Sequence, residues 1–330
     1  GHGVSVFNRG NRPVPDGVRQ ITGDRQLGAD FVTRMRRERF DAVIDMISYT
    51  EADARVSLEA FGGNTGHLVV CSTIAAYVRP FAAIPATEAS ERLWESDAFP
   101  YGFQKANMER FLLPGGHGHC PVPGAPAAAR SLPAEAHGTP ITIIRPSLTF
   151  GEGSANVGVL RQNRNIVDRL RRGKALISFG DGKAPWSFTF APDLARGFVL
   201  SLGRPATFGK AYHVTSEERH VWDDLYRAFG AALGVAPDIR HLPAELLHKA
   251  RPALFEHLLL EKSWPGVFDC TAFRRDVPEF RADISLESGV AALVEWFERE
   301  TALDPDKAAL EDSLVALWDR WATEIAEVSA

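Results

Sequence analysis

The sequence predicts an α/β protein built on a doubly wound parallel sheet, followed by a smaller α/β lobe. In the first 150 residues, short apolar runs alternate with helical segments, and most links between them are short. The run at residues 41–46 alternates little between polar and apolar residues, which is typical of a strand buried on both faces. Right-handed crossovers bring the C-terminal ends of parallel strands to one edge of the sheet, where ligands bind.

The elements of the first domain, residues 1–150, follow one another along the chain. We expect strands at residues 4–7, 41–46, 68–72 and 141–144. We expect helices at residues 31–40, 51–61 and 101–113. Residues 114–140 break this rhythm because they are rich in Gly, Pro and Ala, so we expect an inserted surface loop. His117, His119 and Cys120 lie in it, but no fourth ligand is suitably spaced, and we predict no metal site.

The second part, residues 151–330, has a different pattern that predicts a mixed lobe packed on the C-terminal edge of the sheet. Its expected helices cover residues 159–172, 193–202 and 222–233, and its expected strands residues 176–179, 187–190 and 211–214. Apolar residues recur between residues 307 and 325 at helical spacing. This spacing predicts an amphipathic C-terminal helix that docks on the body of the protein.

Composition excludes several functional classes. The net charge of −5 gives no basic footprint for nucleic acid, which we regard as an improbable partner. The three cysteines are far apart in the sequence and suggest no disulfide framework. No apolar run reaches membrane-spanning length and no signal peptide is recognised, so we expect a cytoplasmic protein without a membrane partner.

Two residues that can act together in proton transfer lie four positions apart in the run PYGFQK, residues 100–105. On a helix, Tyr101 and Lys105 share a face. A nearby ammonium lowers the pKa of a tyrosine and so prepares the phenol for proton exchange at an alcohol or ketone carbon. Upstream, an apolar strand ends in Ser72 and Thr73, so hydroxyl groups meet the same sheet edge. The pattern predicts a catalytic site, although Tyr-x-x-x-Lys alone is common on helix surfaces.

Four segments in this order carry a resemblance to a known family. They are residues 71–77 (CSTIAAY), 101–105 (YGFQK), 144–151 (IRPSLTFG) and 179–195 (FGDGKAPWSFTFAPDLA). Together they resemble the extended short-chain dehydrogenases/reductases, the NAD-dependent epimerase/dehydratase family. The resemblance covers most of the chain. It implies a Rossmann-type dinucleotide-binding domain at residues 1–150, a substrate lobe at residues 151–330 and a homodimer formed through the helix that bears Tyr101.

The resemblance also implies roles for individual residues. Tyr101 is expected to be the acid/base, Lys105 to bind the nicotinamide ribose, and Thr73 to hydrogen-bond the substrate oxygen. The remaining expected cofactor contacts are Asp24 at the adenine, Met46, Ile47 and Ser48 along the middle of the cofactor, and Pro146, Ser147 and Leu148 at the nicotinamide. Asp24 could instead be a turn residue, Ser48 a local cap and Ser147 a strand terminator.

Two features depart from the family pattern. The family begins with a strand and a Gly-x-x-Gly-x-x-Gly turn that cradles the pyrophosphate, and the sequence contains no such turn. We therefore expect either a truncation or an omitted leading segment, with an exposed strand edge in the middle of the sheet. Second, Trp186 occupies the position where sugar-nucleotide epimerases have a diphosphate-binding arginine. Trp186 could stack on a substrate or pack in the core, and Arg161 or Arg164 could compensate for the charge.

The end of the first strand of this chain, which corresponds to the second strand of the family, bears on cofactor choice. In NAD-specific members an acid stands there, whereas this chain has Asn8 and Arg9, with Arg12 close by. Arginines can pair with a phosphate, so we expect NADP, with NAD as the alternative.

The favoured function is an NAD(P)-dependent oxidoreductase or epimerase acting on a small-molecule alcohol or ketone, possibly sugar-like. The alternatives are an RNA-binding or other binding protein, because residues 268–289 resemble relatives of chloroplast stem-loop RNA-binding proteins, and a cofactor-free scaffold.

Overall fold

A computed structural model of the chain describes residues 1–114, 138–153, 157–161 and 164–328. Its strands are β1 (Ser5–Asn8), β2 (Arg19–Thr22), β3 (Val43–Asp45), β4 (Leu68–Cys71), β5 (Ile141–Arg145), β6 (Leu148–Phe150), β7 (Leu176–Phe179), β8 (Pro185–Trp186), β9 (Phe188–Phe190), β10 (Lys210–His213), β11 (His220–Val221) and β12 (Ile239–Leu242). Its α-helices are α1 (Gly28–Met35), α2 (Glu51–Phe61), α3 (Pro100–Leu112), α4 (Arg164–Arg171), α5 (Ala191–Ser201), α6 (Trp222–Leu233), α7 (Ala244–Ala250), α8 (Pro252–His257), α9 (Thr271–Asp276), α10 (Leu286–Glu300) and α11 (Pro305–Val328).

The central sheet is parallel and has the strand order β10-β5-β4-β3. Strands β4 and β5 are almost wholly buried, as their continuous apolar sequences predict. Helices α2 and α3 pack against each other beside this sheet. The predicted α/β fold with a parallel sheet is confirmed, and the segment that bears Tyr101 is a helix as expected.

Strands β1 and β2 form a separate parallel pair. Within the described part of the chain, β3 has β4 as its sheet partner and forms one edge of the central sheet. Side chains from β2, α1, α2, β4 and α3 nevertheless share one hydrophobic core. The two parallel units are thus joined through packed helices.

The central sheet draws on both halves of the sequence. Strand β10, which we expected in the second lobe, pairs with β5 along residues 210–213. The central sheet therefore includes residues from both sides of the predicted boundary at residue 150. The two-domain division remains a prediction, and the metal-site residues considered in the loop, His117, His119 and Cys120, lie outside the described residues.

Several short elements of the fold were not predicted, and some helix boundaries differ from the prediction. Strand β2, which has a single buried residue, and the two-residue strands β8 and β11 gave no periodic signal. Helix α1 ends at Met35, five residues before the predicted end. The long C-terminal helix α11 is present, and Leu314 together with Trp318 and Trp321 packs against the large core of the second half.

Among the described residues, no helix combines the length and the apolarity that crossing a membrane requires.

Candidate active site

A close backbone approach positions the start of α3 next to the end of β4. Pro100 occupies the first turn of α3, where a missing N–H costs nothing. A side-chain carbon on Gly102 would lie 2.3 Å from the carbonyl oxygen of Ala75, so only glycine fits there. The indole Nε1 of Trp94 donates to the same carbonyl at 3.1 Å. These contacts hold Tyr101 against the 3-10 turn (Ile74–Ala76) that follows Thr73.

Tyr101 and Thr73 meet, as the sequence predicted. The Thr73 Oγ1 accepts from the backbone N–H of Ala75 at 3.1 Å, and the Thr73 side chain lies close enough to the Tyr101 phenol to lower its pKa. Tyr101 is 44% exposed, yet loss of water around the phenol raises its pKa above the ordinary value. The charge of Glu261 raises this pKa further, and the Thr73 side chain lowers it in part. The expected net lowering of the Tyr101 pKa is therefore not observed.

Lys105 lies beneath this surface and is only 2% exposed. Its Nζ donates to the carbonyl oxygens of Ser48 at 2.6 Å and Cys71 at 2.8 Å, and it lies 4.6 Å from the centre of the Tyr49 ring. Lys105 thus links the chain after β3 to the end of β4. Burial lowers its pKa, and the charges of Cys71 and Asp45 oppose that effect.

A buried ion pair supports the loop that follows β3. The Arg25 guanidinium donates to the Asp45 carboxylate at 2.7 Å and to Ser48 Oγ at 2.8 Å. Ser48 Oγ and Ser57 Oγ both donate to the other Asp45 oxygen. Burial alone would raise the pKa of Asp45, but Arg25 and the serine hydrogen bonds outweigh it and lower the pKa. The Ser48 side chain belongs to this buried network, which agrees with the alternative local role considered for it, and the contact of Ser48 with a cofactor remains a prediction.

A second buried network, which the sequence analysis missed, joins α3 to β4 and β5. The Arg145 Nε donates to both carboxylate oxygens of Glu109 at 3.0 Å, and its NH1 group donates to the Tyr77 hydroxyl at 2.6 Å. Ser72 Oγ also donates to Glu109. The Tyr77 hydroxyl continues to His213 Nε2 at 2.8 Å. The sequence did contain a signal for this ion pair, because Glu109 lies one helical turn after Lys105 and Arg145 ends a buried strand.

The residues predicted to bind the adenosine end lie around the end of β1. Asn8 Oδ1 accepts from Gly10 N and from Gln20 Nε2, both at 2.8 Å, and so shapes the turn. Arg9 and Arg12 are exposed, and neither guanidinium has an ion-pair partner among the residues that the structure describes. Asp24 Oδ1 accepts from Gln26 N at 2.9 Å, as a turn residue does.

The other predicted cofactor residues lie at the ends of β3 and β5. Met46 and Ile47 are about half exposed and offer apolar surface. The Pro146 carbonyl accepts from Ile74 N at 3.1 Å, which places residues 146–148 beside the turn after Thr73. Ser147 is buried, and its Oγ lies 3.1 Å from Thr189 Oγ1. Leu148 is partly buried at the start of β6.

The structure corrects one predicted substrate residue. Trp186 is 1% exposed, and its ring packs 5.2 Å from the ring of Trp222 and against Gly266. It is a core residue and presents no surface for stacking on a substrate. Arg161 has a buried Nε atom without a hydrogen-bond partner in the described chain.

Two side chains that the sequence did not indicate are Glu261, which lies near Tyr101, and Arg79, which Glu261 also approaches. Arg79 donates to the carbonyls of Tyr77 and Ile74 and stacks 3.8 Å from the centre of the Phe81 ring. Burial lowers the pKa of Arg79 to about 10, and Glu261 and Glu91 oppose this effect. Glu261 comes from far along the sequence, so its approach to Tyr101 and Arg79 could be seen only in the fold. The described residues contain no cluster of three potential metal ligands.

A family model and a curated relative both resemble this chain in sequence. A model of the NAD dependent epimerase/dehydratase family matches residues 129–215. The 2'-dehydrokanamycin reductase of Streptomyces kanamyceticus is 26% identical over 282 residues, which cover 85% of this chain and 73% of that protein.

Solved structures resemble this fold along most of its length. An epimerase from Methanothermobacter thermautotrophicus superposes with a TM-score of 0.68 at 17% identity, covering 90% of this chain and 85% of that one. The UDP-glucose 4-epimerase of Thermotoga maritima, solved with UDP-glucose, gives 0.65 at 16% identity, with 91% and 92% covered. The chain is therefore similar to the NAD dependent epimerase/dehydratase family over residues 129–215, and its fold resembles that of the two epimerases along most of its length.

Proposed function

We propose that this protein is an NADP-dependent reductase of a ketone on a sugar-like small molecule, with Tyr101 as the acid/base. The observation that carries the proposal is the approach of the Tyr101 phenol to the Thr73 side chain, beside the strand ends where the Lys105 Nζ donates to the carbonyls of Ser48 and Cys71. The reductase among the relatives and the UDP-glucose-bound epimerase favour a carbohydrate substrate. Reduction is preferred over epimerisation because the reductase shares more sequence with this chain.

In this reaction Thr73 would hold the substrate oxygen and Tyr101 would exchange a proton with it. A tyrosine phenol is protonated at neutral pH, and the direction of the pKa shift of Tyr101 leaves it so, which gives the group a proton to donate to a forming alkoxide. The nicotinamide, when bound, supplies the hydride. Lys105 has three N–H donors and uses two on backbone carbonyls, so one is left for a ribose hydroxyl.

The residues present fit such a cofactor in part. Arg9 and Arg12 offer exposed guanidiniums without ion-pair partners in the described residues, which suits the additional phosphate of NADP. Half-exposed Met46 and Ile47 offer apolar contact beside them. These features support a preference for NADP over NAD.

The test uses Tyr101→Phe in the full-length natural protein, which keeps the ring and removes the exchangeable proton. Turnover is followed by NADPH oxidation with a panel of keto sugars that includes 2'-dehydrokanamycin. We expect a loss of about 10²–10⁴-fold, the usual contribution of a positioned acid. Tyr212→Phe is the matched control, because its phenol binds Asp276 instead. Turnover in Tyr101→Phe equal to that of the control would refute the assignment. The homodimer remains a prediction that sedimentation velocity can test.

A further inference from the structure

The aromatic ring of Tyr49 lies on the ammonium of Lys105. The Lys105 Nζ is 4.6 Å from the centre of the ring, within the distance of a cation–π contact. The same Nζ donates to the main-chain oxygens of Ser48 at 2.6 Å and Cys71 at 2.8 Å. Because Lys105 is only 2% exposed, a neighbouring group must move before any ligand atom can reach its ammonium.

The two carbonyls are not free to move, because they belong to the main chain at the ends of paired strands. Cys71 is the last residue of β4, and β4 pairs with β3 along residues 43–45. Ser48 N donates to the Asp45 carboxylate at 3.1 Å. The Tyr49 side chain, in contrast, is 49% exposed, and its hydroxyl makes no hydrogen bond with the described part of the chain. The ring is therefore the contact that can move.

Movement of the ring requires no change in the backbone. Tyr49 N donates to Asp53 Oδ2 at 3.0 Å, and the same oxygen accepts from Thr50 N at 2.9 Å. Thr50 is the N-cap of α2, and its Oγ1 accepts from Asp53 N at 3.2 Å, so the start of the helix fixes this segment. The ring can turn to another staggered rotamer, a motion that exposed side chains complete within nanoseconds.

The surface around the ring is apolar and open. Met46 and Ile47 follow β3 on the same segment as Tyr49, and each side chain is about half exposed. Tyr101, one helical turn before Lys105, is exposed to a similar extent. A group of half-exposed apolar side chains around a buried cation is typical of a surface that a ligand covers.

We propose that Tyr49 is a positioning residue for Lys105, whose ring holds the ammonium in the free protein and is displaced by the ribose hydroxyls of a dinucleotide. The identity of the ligand rests on the proposed function. In the free protein, the ring face takes the N–H that the two carbonyls leave over. When the ligand binds, the ring turns outward and a hydroxyl oxygen accepts that N–H. The apparent affinity for the ligand then depends on the fraction of molecules in which the ring is turned away.

The test first measures the reactivity of Lys105, which needs neither cofactor nor turnover. The full-length protein and its Tyr49→Ala variant are reductively methylated with formaldehyde and cyanoborohydride. Mass spectrometry gives the rate at Lys105 relative to the exposed Lys249. We expect this rate to rise about five- to thirtyfold in Tyr49→Ala, the factor by which a cation–π contact at a buried ammonium holds the ring in place. Tyr49→Phe keeps the ring face, so its Lys105 should react as in the unmodified protein.

The second measurement is the affinity for NADPH, determined by calorimetry. Tyr49→Ala should bind NADPH more tightly, by up to the factor found in the labelling, because no ring has to be displaced. Ile47→Ala is the matched control, since it removes apolar surface from the same segment and should not tighten binding. Thermal stability shows that each variant folds.

Two results would overturn the inference. Unchanged labelling of Lys105 in Tyr49→Ala would show that the ring does not cover the ammonium. An affinity of Tyr49→Ala for NADPH equal to or weaker than that of the unmodified protein would show that the ring is not displaced. Absence of NADPH binding in every variant, the unmodified protein included, would refute the proposed function and the displacement with it, whereas the labelling rates still decide whether the ring covers Lys105.

Discussion

Replacing Glu109 with Gln should destabilise the protein strongly, because the change removes the carboxylate that pairs with the buried Arg145 guanidinium. The two side chains are 1% and 0% exposed, and they share two hydrogen bonds of 3.0 Å and one shorter contact. Removing one partner of such a pair costs about 3–5 kcal/mol. At roughly 2 °C per kcal/mol for a protein of this size, the expected fall in Tm is about 6–10 °C. Urea unfolding followed by circular dichroism measures the loss.

A double variant distinguishes the contribution of the Glu109–Arg145 ion pair from the cost of removing only one of its charges. Glu109→Gln with Arg145→Met removes both charges, so it should recover part of the stability lost in the single variant. Glu51→Gln is the matched control, because Glu51 forms an exposed ion pair with Arg55 that should contribute about 1 kcal/mol or less. A Glu109→Gln variant within about 1 kcal/mol of the unmodified protein would show that the buried network does not hold α3 to the sheet.

Three further predictions test other parts of the structure. Lys262→Met should raise the free energy of unfolding at pH 7 by up to about 3 kcal/mol, because the buried ammonium has a pKa near 8 against 10.5 when unfolded. The advantage should shrink as pH rises from 8 to 10.5, where the folded protein has already lost the proton; a constant difference in chemical denaturation would contradict this. Asp45→Asn should lower stability by about 3 kcal/mol at pH 7, and the difference should narrow as pH falls below 4, because the unmodified protein then loses the contribution of its low-pKa carboxylate. Arg9→Gln with Arg12→Gln should raise KM for NADPH about tenfold and leave KM for NADH unchanged, since each guanidinium contributes a charge-assisted bond to phosphate; equal effects on both cofactors in steady-state kinetics would remove the NADP assignment.

The fold and the centre of the site could be predicted from local patterns. Strands β4 and β5 are continuous apolar runs. The four-residue spacing of Tyr101 and Lys105 predicted that both lie on one face of a helix. Thr73 was identifiable because it follows a buried strand, where side chains from different strands meet.

The remainder depended on contacts between distant segments. Trp186 has the same sequence signal whether it stacks on a ligand or fills a core, and only the approach of Gly266 and Trp222 distinguishes the two. Glu261 and Lys262 lie on a π-helical turn, which has no periodic pattern to detect. The pKa of Tyr101 is raised because the phenol is largely removed from water. The presence of Lys105 four residues away therefore did not predict the direction of the pKa shift.

The hydrogen bonds of Lys105 have a consequence for how the site tolerates change. The Lys105 ammonium is oriented by hydrogen bonds to the main-chain oxygens of Ser48 and Cys71. Main-chain atoms are the same whichever side chain stands at those positions. A substitution at Ser48 or Cys71 can change the size and polarity of the surrounding site without changing the orientation of Lys105. The direction of the third N–H of Lys105 is therefore set by the positions at which β3 and β4 end. This direction can be retained when many side chains change, as long as the strands keep their register.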